Sequence, residues 1–127
     1  MSTILIIALT LMAEARGETS EGRRAVASVI WHRAHERNQT WEDVCLAPKQ
    51  FSCWNDRGPT EELAEAWKAK YPERFEECMQ LAETMVTYEF VPNVDANHFY
   101  NPTISNPGWA SELQDRVIIG RHTFGRL

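Results

Sequence analysis

Residues Ile4 to Ala13 form an almost unbroken apolar run, and Glu14-Ala15-Arg16-Gly17-Glu18 follows it directly. No Lys or Arg precedes the run and Arg16 is the first positive charge, so the charged leading region of a secretory signal is missing. A bilayer-spanning helix needs about 20 apolar residues, more than this run supplies. The expectation is a buried first helix that belongs to the fold. A chain of 127 residues has room for one domain, residues 1–127. Its 43% hydrophobic and 24% charged residues are ordinary for a soluble globular protein. Wholesale disorder, a collagen-like repeat and a multi-span membrane protein are excluded.

The remaining signals are mainly helical, with a minor short hairpin. Helix one is expected over about Thr3 to Arg16, with Gly17 ending it in the left-handed conformation. Thr19 or Ser20 can cap a second helix that carries Ala25, Val26, Val29, Ile30 and Arg33 and ends near Arg37. Thr40 with Asp43 reads as a capping box for a short helix, Trp41 to Leu46. Pro48 to Gly58 is loop-like and rich in aromatics. Thr60 starts a helix to about Lys70, and Pro72 opens another whose Phe75, Cys78, Met79, Ala82, Met85 and Val86 should pack inward. Val91 to Pro107 holds three Pro and four Asn and reads as a long ordered loop. Val117 to Phe124 reads as a short strand or hairpin.

Glu14 falls in the last turn of the apolar helix. The negative end of the helix dipole and apolar neighbours disfavour its ionised form, while Arg16 would act in the opposite sense if it faced the same way. A carboxyl kept protonated near neutral pH is what a general acid for glycosidic cleavage requires. The bland alternative is a solvated surface charge. Glu18 and Glu21 are possible secondary carboxylates. Paired glycosidase carboxylates stand about 5–5.5 Å apart in retaining enzymes and about 6.5–9.5 Å apart in inverting ones. The competing role for both is local, satisfying backbone donors or the dipole of helix two.

Gln50-Phe51-Ser52-Cys53-Trp54 mixes aromatic rings with short polar groups, a combination that suits the apolar faces and hydroxyl edges of sugars. Asn97-His98-Phe99-Tyr100-Asn101-Pro102 and Trp109 repeat it. The candidate substrate-binding residues are therefore Gln50, Phe51, Ser52, Trp54, His98, Tyr100, Asn101 and Trp109, set against a core-filling role for the aromatics.

Other chemistries find less support. Cys45, Cys53 and Cys78 include no CxxC, which argues against a cysteine-rich zinc site; buried thiols are expected, with one disulfide plus a free thiol as the alternative. His32 and His35 do not form HExxH, so a zinc amidase or peptidase is a minor reading, and no GxSxG is present. No metal or other cofactor is expected. Eighteen acidic against thirteen basic side chains give a net charge of −5, which argues against a nucleic-acid partner.

In combination these segments resemble the SleB/CwlJ-type cell wall hydrolases, known from spore-cortex-lytic enzymes and some phage endolysins. The likeness runs through Ala13-Glu14-Ala15-Arg16-Gly17-Glu18, Glu21-Gly22, Ala25 to Ile30 and Arg33. It continues through Gln50 to Trp54 and His98 to Pro102, and closes with Trp109-Ala110 and Ile119 to Phe124. His32 stands where the family usually has Asn, and Thr60 to Val86 is poorly matched.

The resemblance implies a lysozyme-like, mainly helical domain that cleaves peptidoglycan glycan strands, with Glu14 as the general acid. A lytic transglycosylase would cleave between N-acetylmuramic acid and N-acetylglucosamine through one acid/base carboxyl, leaving a 1,6-anhydro product. A hydrolytic muramidase and a non-catalytic peptidoglycan-binding module are the alternatives. The lack of appended binding repeats resembles a phage or prophage endolysin. The chain is then expected to be a monomer made in the host cytoplasm, to act on the periplasmic wall after release by a separate holin-type protein, and not to insert stably in membrane.

Overall fold

The computed structural model describes residues 1–47 and 58–127. Helix α1 (Thr3–Ala15) begins at Ser2, whose hydroxyl accepts from the Leu5 N–H. Ile7, Ala8, Leu9, Leu11 and Met12 are all fully buried, so the helix is covered on every side. An apolar stripe of ordinary width would have left one face to water. Even Thr10 is buried, its hydroxyl donating to the Ile6 carbonyl at 2.8 Å.

Around this axis pack α2 (Ser20–Arg37), α3 (Trp41–Leu46), α4 (Glu61–Lys70) and α5 (Pro72–Val86). Thr19, Thr40 and Thr60 each accept a backbone N–H three residues on, which sets the starts of α2, α3 and α4 as expected. On α5 the buried residues are Phe75, Cys78, Leu81, Ala82 and Met85, while Met79 and Val86 pack partly buried against the core. Cys45 and Cys78 are buried free thiols, each pushed up to about 12 by burial. Cys53 lies outside the described residues.

The segment 91–107, expected as loop, contains a strand. β1 (His98–Tyr100) pairs antiparallel with β3 (His122–Arg126), which also pairs with β2 (Gln114–Ile119), giving the order β1-β3-β2. The hairpin expected near Val117 is therefore present and forms two strands of a three-stranded sheet. Phe99 faces Phe124 in the register, and their rings stack at 5.7 Å, with Phe124 fully buried. Among the described residues the fold is mostly helical with one small sheet, a lysozyme-like arrangement.

Gly17 differs from expectation. It does not adopt a positive φ. A Cβ there would stand 2.8 Å from an Arg121 Nη, so that flexible side chain would have to shift to admit one.

Candidate active site

A cleft of about 1120 Å³ opens between the end of α1 and the sheet. Glu14, Arg16, Gly17 and Glu18 line it on one side, with His98, Tyr100, Asn101 and Trp109 also on its walls.

Arg16 closes the end of α1. Its guanidinium folds back to donate to the Met12 and Ala13 carbonyls at 3.1 and 3.4 Å, and lies 5.0 Å from the centre of the Trp67 ring. The negative helix end beside Glu14 is thus answered in part by a cation of the same turn. One Glu14 carboxylate oxygen is buried in the protein.

The turn that carries these residues is held from α2. Arg23 is buried there, donates to the Glu18 and Arg16 carbonyls, and pairs with Glu77 on α5. Arg33 is also buried and donates through Nε to the Asn97 carbonyl at 2.8 Å, just before β1. Burial first and then the nearby Arg37 pull its pKa down to about 10, against the opposing attraction of Glu14. It therefore stays charged at neutral pH. Sequence reasoning singled out neither arginine for the site. The available signal was their position on the buried stripe of α2, at helical spacing from Val26 and Ile30. An arginine on that stripe requires a built set of acceptors.

On the facing wall, strand β1 and the residues after it present aromatic edges. Trp109 meets His98 edge-on at 5.0 Å and Tyr100 edge-on at 5.6 Å. The tautomer of His98 follows from its neighbours. Leu127 N–H donates to Asn97 Oδ1 at 3.0 Å, which identifies that atom as the oxygen. His98 Nδ1 lies 3.0 Å from the same oxygen and must therefore carry the proton, leaving Nε2 as an acceptor. Burial, then Arg33 and Arg37, lower the His98 pKa to about 4, so the ring is neutral at physiological pH. Asn101 builds the adjoining turn. Its Oδ1 accepts from the Thr103 N–H and hydroxyl at 3.0 and 2.6 Å, and its carbonyl accepts from Ile104 and Ser105 N–H.

Glu18 lines the cleft but is held by the hairpin. Its carboxylate accepts from the Arg121 backbone N–H at 3.0 Å and Nε at 2.9 Å, and pairs with an Arg121 Nη at 2.7 Å. Burial pushes its pKa up, yet the hydrogen bonds from Arg121 and the charge of His122 win and hold it below the usual range. The backbone donor it satisfies lies in the β2–β3 turn and not in α2. Glu21 stands elsewhere, beside a separate groove of about 540 Å³ between α2 and α5. Of the candidate site residues, Glu14, Glu18, His98, Tyr100, Asn101 and Trp109 thus share one cleft, and Glu21 does not. Gln50, Phe51, Ser52 and Trp54 lie outside the described residues.

His32 and His35 do not converge. His32 Nε2 is 3.1 Å from the Val94 carbonyl, whereas His35 stacks on Trp31 at 4.0 Å. Among the described residues no group of three His, Cys, Asp or Glu could hold a metal ion. No described helix is long and apolar enough to cross a membrane.

Comparison with known structures finds the catalytic domain of the germination-specific lytic transglycosylase SleB from Bacillus anthracis, at 24% identity and a TM-score of 0.69, covering 97% of this chain and 93% of that one. The catalytic domain of the Bacillus cereus SleB protein matches at 22% identity and a TM-score of 0.69, covering 97% and 88% respectively. At these identities the likeness is one of fold. No curated protein sequence matches the chain. The sequence profile of the Cell Wall Hydrolase family, however, matches residues 17–125, from the turn after α1 to the last strand. That match takes in both cleft walls except the end of α1, and on it the chain belongs to the Cell Wall Hydrolase family and is a peptidoglycan-degrading enzyme.

Proposed function

We propose that the chain is a lytic transglycosylase, with Glu14 as the acid/base for the bond between N-acetylmuramic acid and N-acetylglucosamine. The observation that carries this reading is the position of Glu14 at the end of a helix whose middle is buried on all sides, on the wall of the cleft that His98, Tyr100 and Trp109 also line. In the first step the Glu14 carboxyl gives its proton to the glycosidic oxygen as the bond from the muramic acid C1 breaks. The C6 hydroxyl of the same sugar then attacks C1, and its proton passes to the Glu14 carboxylate. One carboxyl serves both transfers and no water is consumed. The commitment of Glu18 to Arg121 favours this route over hydrolysis with a second carboxylate. The aromatic edges of Tyr100 and Trp109 and the Nε2 acceptor of His98 would receive the sugar.

Mass spectrometry of digested peptidoglycan tests the reading. Fragments lighter by one water than the hydrolytic product support it. Ordinary reducing ends would identify a muramidase, released amines an amidase or peptidase, and retention without release a binding module.

The biological setting we propose is that of a phage or prophage endolysin, monomeric and delivered from the cytoplasm to the wall through a separate holin-type protein. The net charge of −5 supports delivery from within, since it offers no attraction to an anionic outer surface. Purified protein should leave intact Gram-negative cells whole and lyse them once the outer membrane is permeabilised. Unaided lysis from outside would overturn this part.

A further inference from the structure

Three cations crowd one aromatic ring at the α4–α5 corner of the cleft. Lys70 Nζ lies 5.4 Å, Arg74 Cζ 5.7 Å and Arg16 Cζ 6.0 Å from the centre of the Tyr71 ring. Tyr71, Arg74 and Arg16 all line the cleft that holds Glu14. A ring quadrupole attracts a cation without neutralising it, and three like charges so placed repel one another.

Other cations that line the cleft face a carboxylate. Arg121 pairs with Glu18, and the buried Arg33 is drawn to Glu14. Among the described residues, Lys70, Arg74 and Arg16 pair with no carboxylate. The same crowding shows on the ring itself, whose phenol is held below its usual pKa by its hydrogen bond with Lys70 and then by Arg16. In a chain of net charge −5, this concentration of positive charge beside the cleft is suited to receive an outside anion.

We infer that Lys70, Arg74 and Arg16 form an anion subsite that takes a carboxylate carried by the muramic acid side of the substrate. The inference rests on reading the cleft as a glycan-cleaving site. Glycan rings are neutral, and muramic acid brings carboxylates in two ways. The stem peptide bears free carboxylates when it is attached, and the lactyl group becomes one when the peptide is removed. Planar guanidinium and mobile ammonium groups both suit a carboxylate, the former with paired hydrogen bonds. Arg16 ties the subsite to catalysis, since it shares the last turn of α1 with Glu14.

The test compares the wild type with the double variant Lys70→Gln/Arg74→Gln, which leaves the helix-closing Arg16 in place. The substrates are peptide-bearing glycan, the same glycan with its stem carboxylates amidated, and peptide-free glycan with and without amidation of the lactyl group. For the wild type, neutralising the relevant carboxylate should lower kcat/KM by about tenfold, chiefly through KM. The double variant should lose the same factor on the charged substrate and nothing on the neutral one. Loss on amidating the peptide-bearing glycan assigns the stem peptide as source, and loss on amidating the peptide-free glycan assigns the lactyl group. Equal wild-type rates on charged and neutral forms of both glycans would overturn the subsite while leaving the glycosidase reading intact. Undiminished turnover by a folded Glu14→Gln protein would instead remove that reading. An equal loss by the double variant on charged and neutral substrates would also overturn the subsite. Circular dichroism melting of the double variant separates that outcome from misfolding.

Discussion

Gly120 has two independent reasons to lack a side chain. Its φ of +61° lies in the left-handed region, and a Cβ there would stand 2.5 Å from Glu18 Oε1. Gly120→Ala should therefore cost about 1–3 kcal/mol from backbone strain alone and also push Glu18 out of its seat. Thermal unfolding measures the loss, and an unchanged melting temperature would contradict it. Glu18 makes a second prediction. Its folded pKa lies below the ordinary 4.5, so its contribution is fully present above about pH 4.5 and is lost as pH falls through the folded value. Wild type minus Glu18→Gln stability should be constant near neutrality and shrink below that pH. A difference that grew on acidification would contradict the clamp. The partner of Glu18 was not legible in the sequence, because Arg121 lies 103 residues away and no local spacing connects them. The same holds for Arg33, whose acceptor, the Asn97 carbonyl, is 64 residues distant.

Among the elements, those set by local chemistry were legible and those set by pairing were not. The apolar run marked α1, and the threonines before α2, α3 and α4 marked their starts, because a hydroxyl reaching an N–H three residues on is written in the sequence itself. Strand β1 escaped because three residues among prolines and asparagines have no pattern of their own. His98, Phe99 and Tyr100 become a strand through their register with β3. Gly17 follows α1 and its cap Arg16, as the sequence suggests, but without the positive φ expected of a helix-ending glycine. The burial of α1 on all sides carries its own prediction. Leu9 is fully buried, so Leu9→Ala should cost about 2–5 kcal/mol in denaturant unfolding. A cost under about 0.5 kcal/mol would mean that the helix is not the centre of the core.

At the scale of the molecule, the helices and the sheet supply opposite walls of one cleft. The sequence placed Glu14 at a helix end and aromatics in later segments, and among the described residues Glu14, Tyr100 and Trp109 line that cleft, along with Arg33, Tyr71, Arg74 and His122. It left the second carboxylate open between Glu18 and Glu21. Only the tertiary fold distinguishes them, holding Glu18 against the hairpin and leaving Glu21 beside another groove. The proposed mechanism turns on one carboxyl group that gives and retrieves a proton. Glu14→Gln keeps its size and removes that capacity. The most direct measurement is the turnover of purified sacculi by folded Glu14→Gln protein, matched to wild type by melting temperature. A fall of about 10²–10⁴-fold is the predicted result, and turnover within a few-fold of wild type would contradict it.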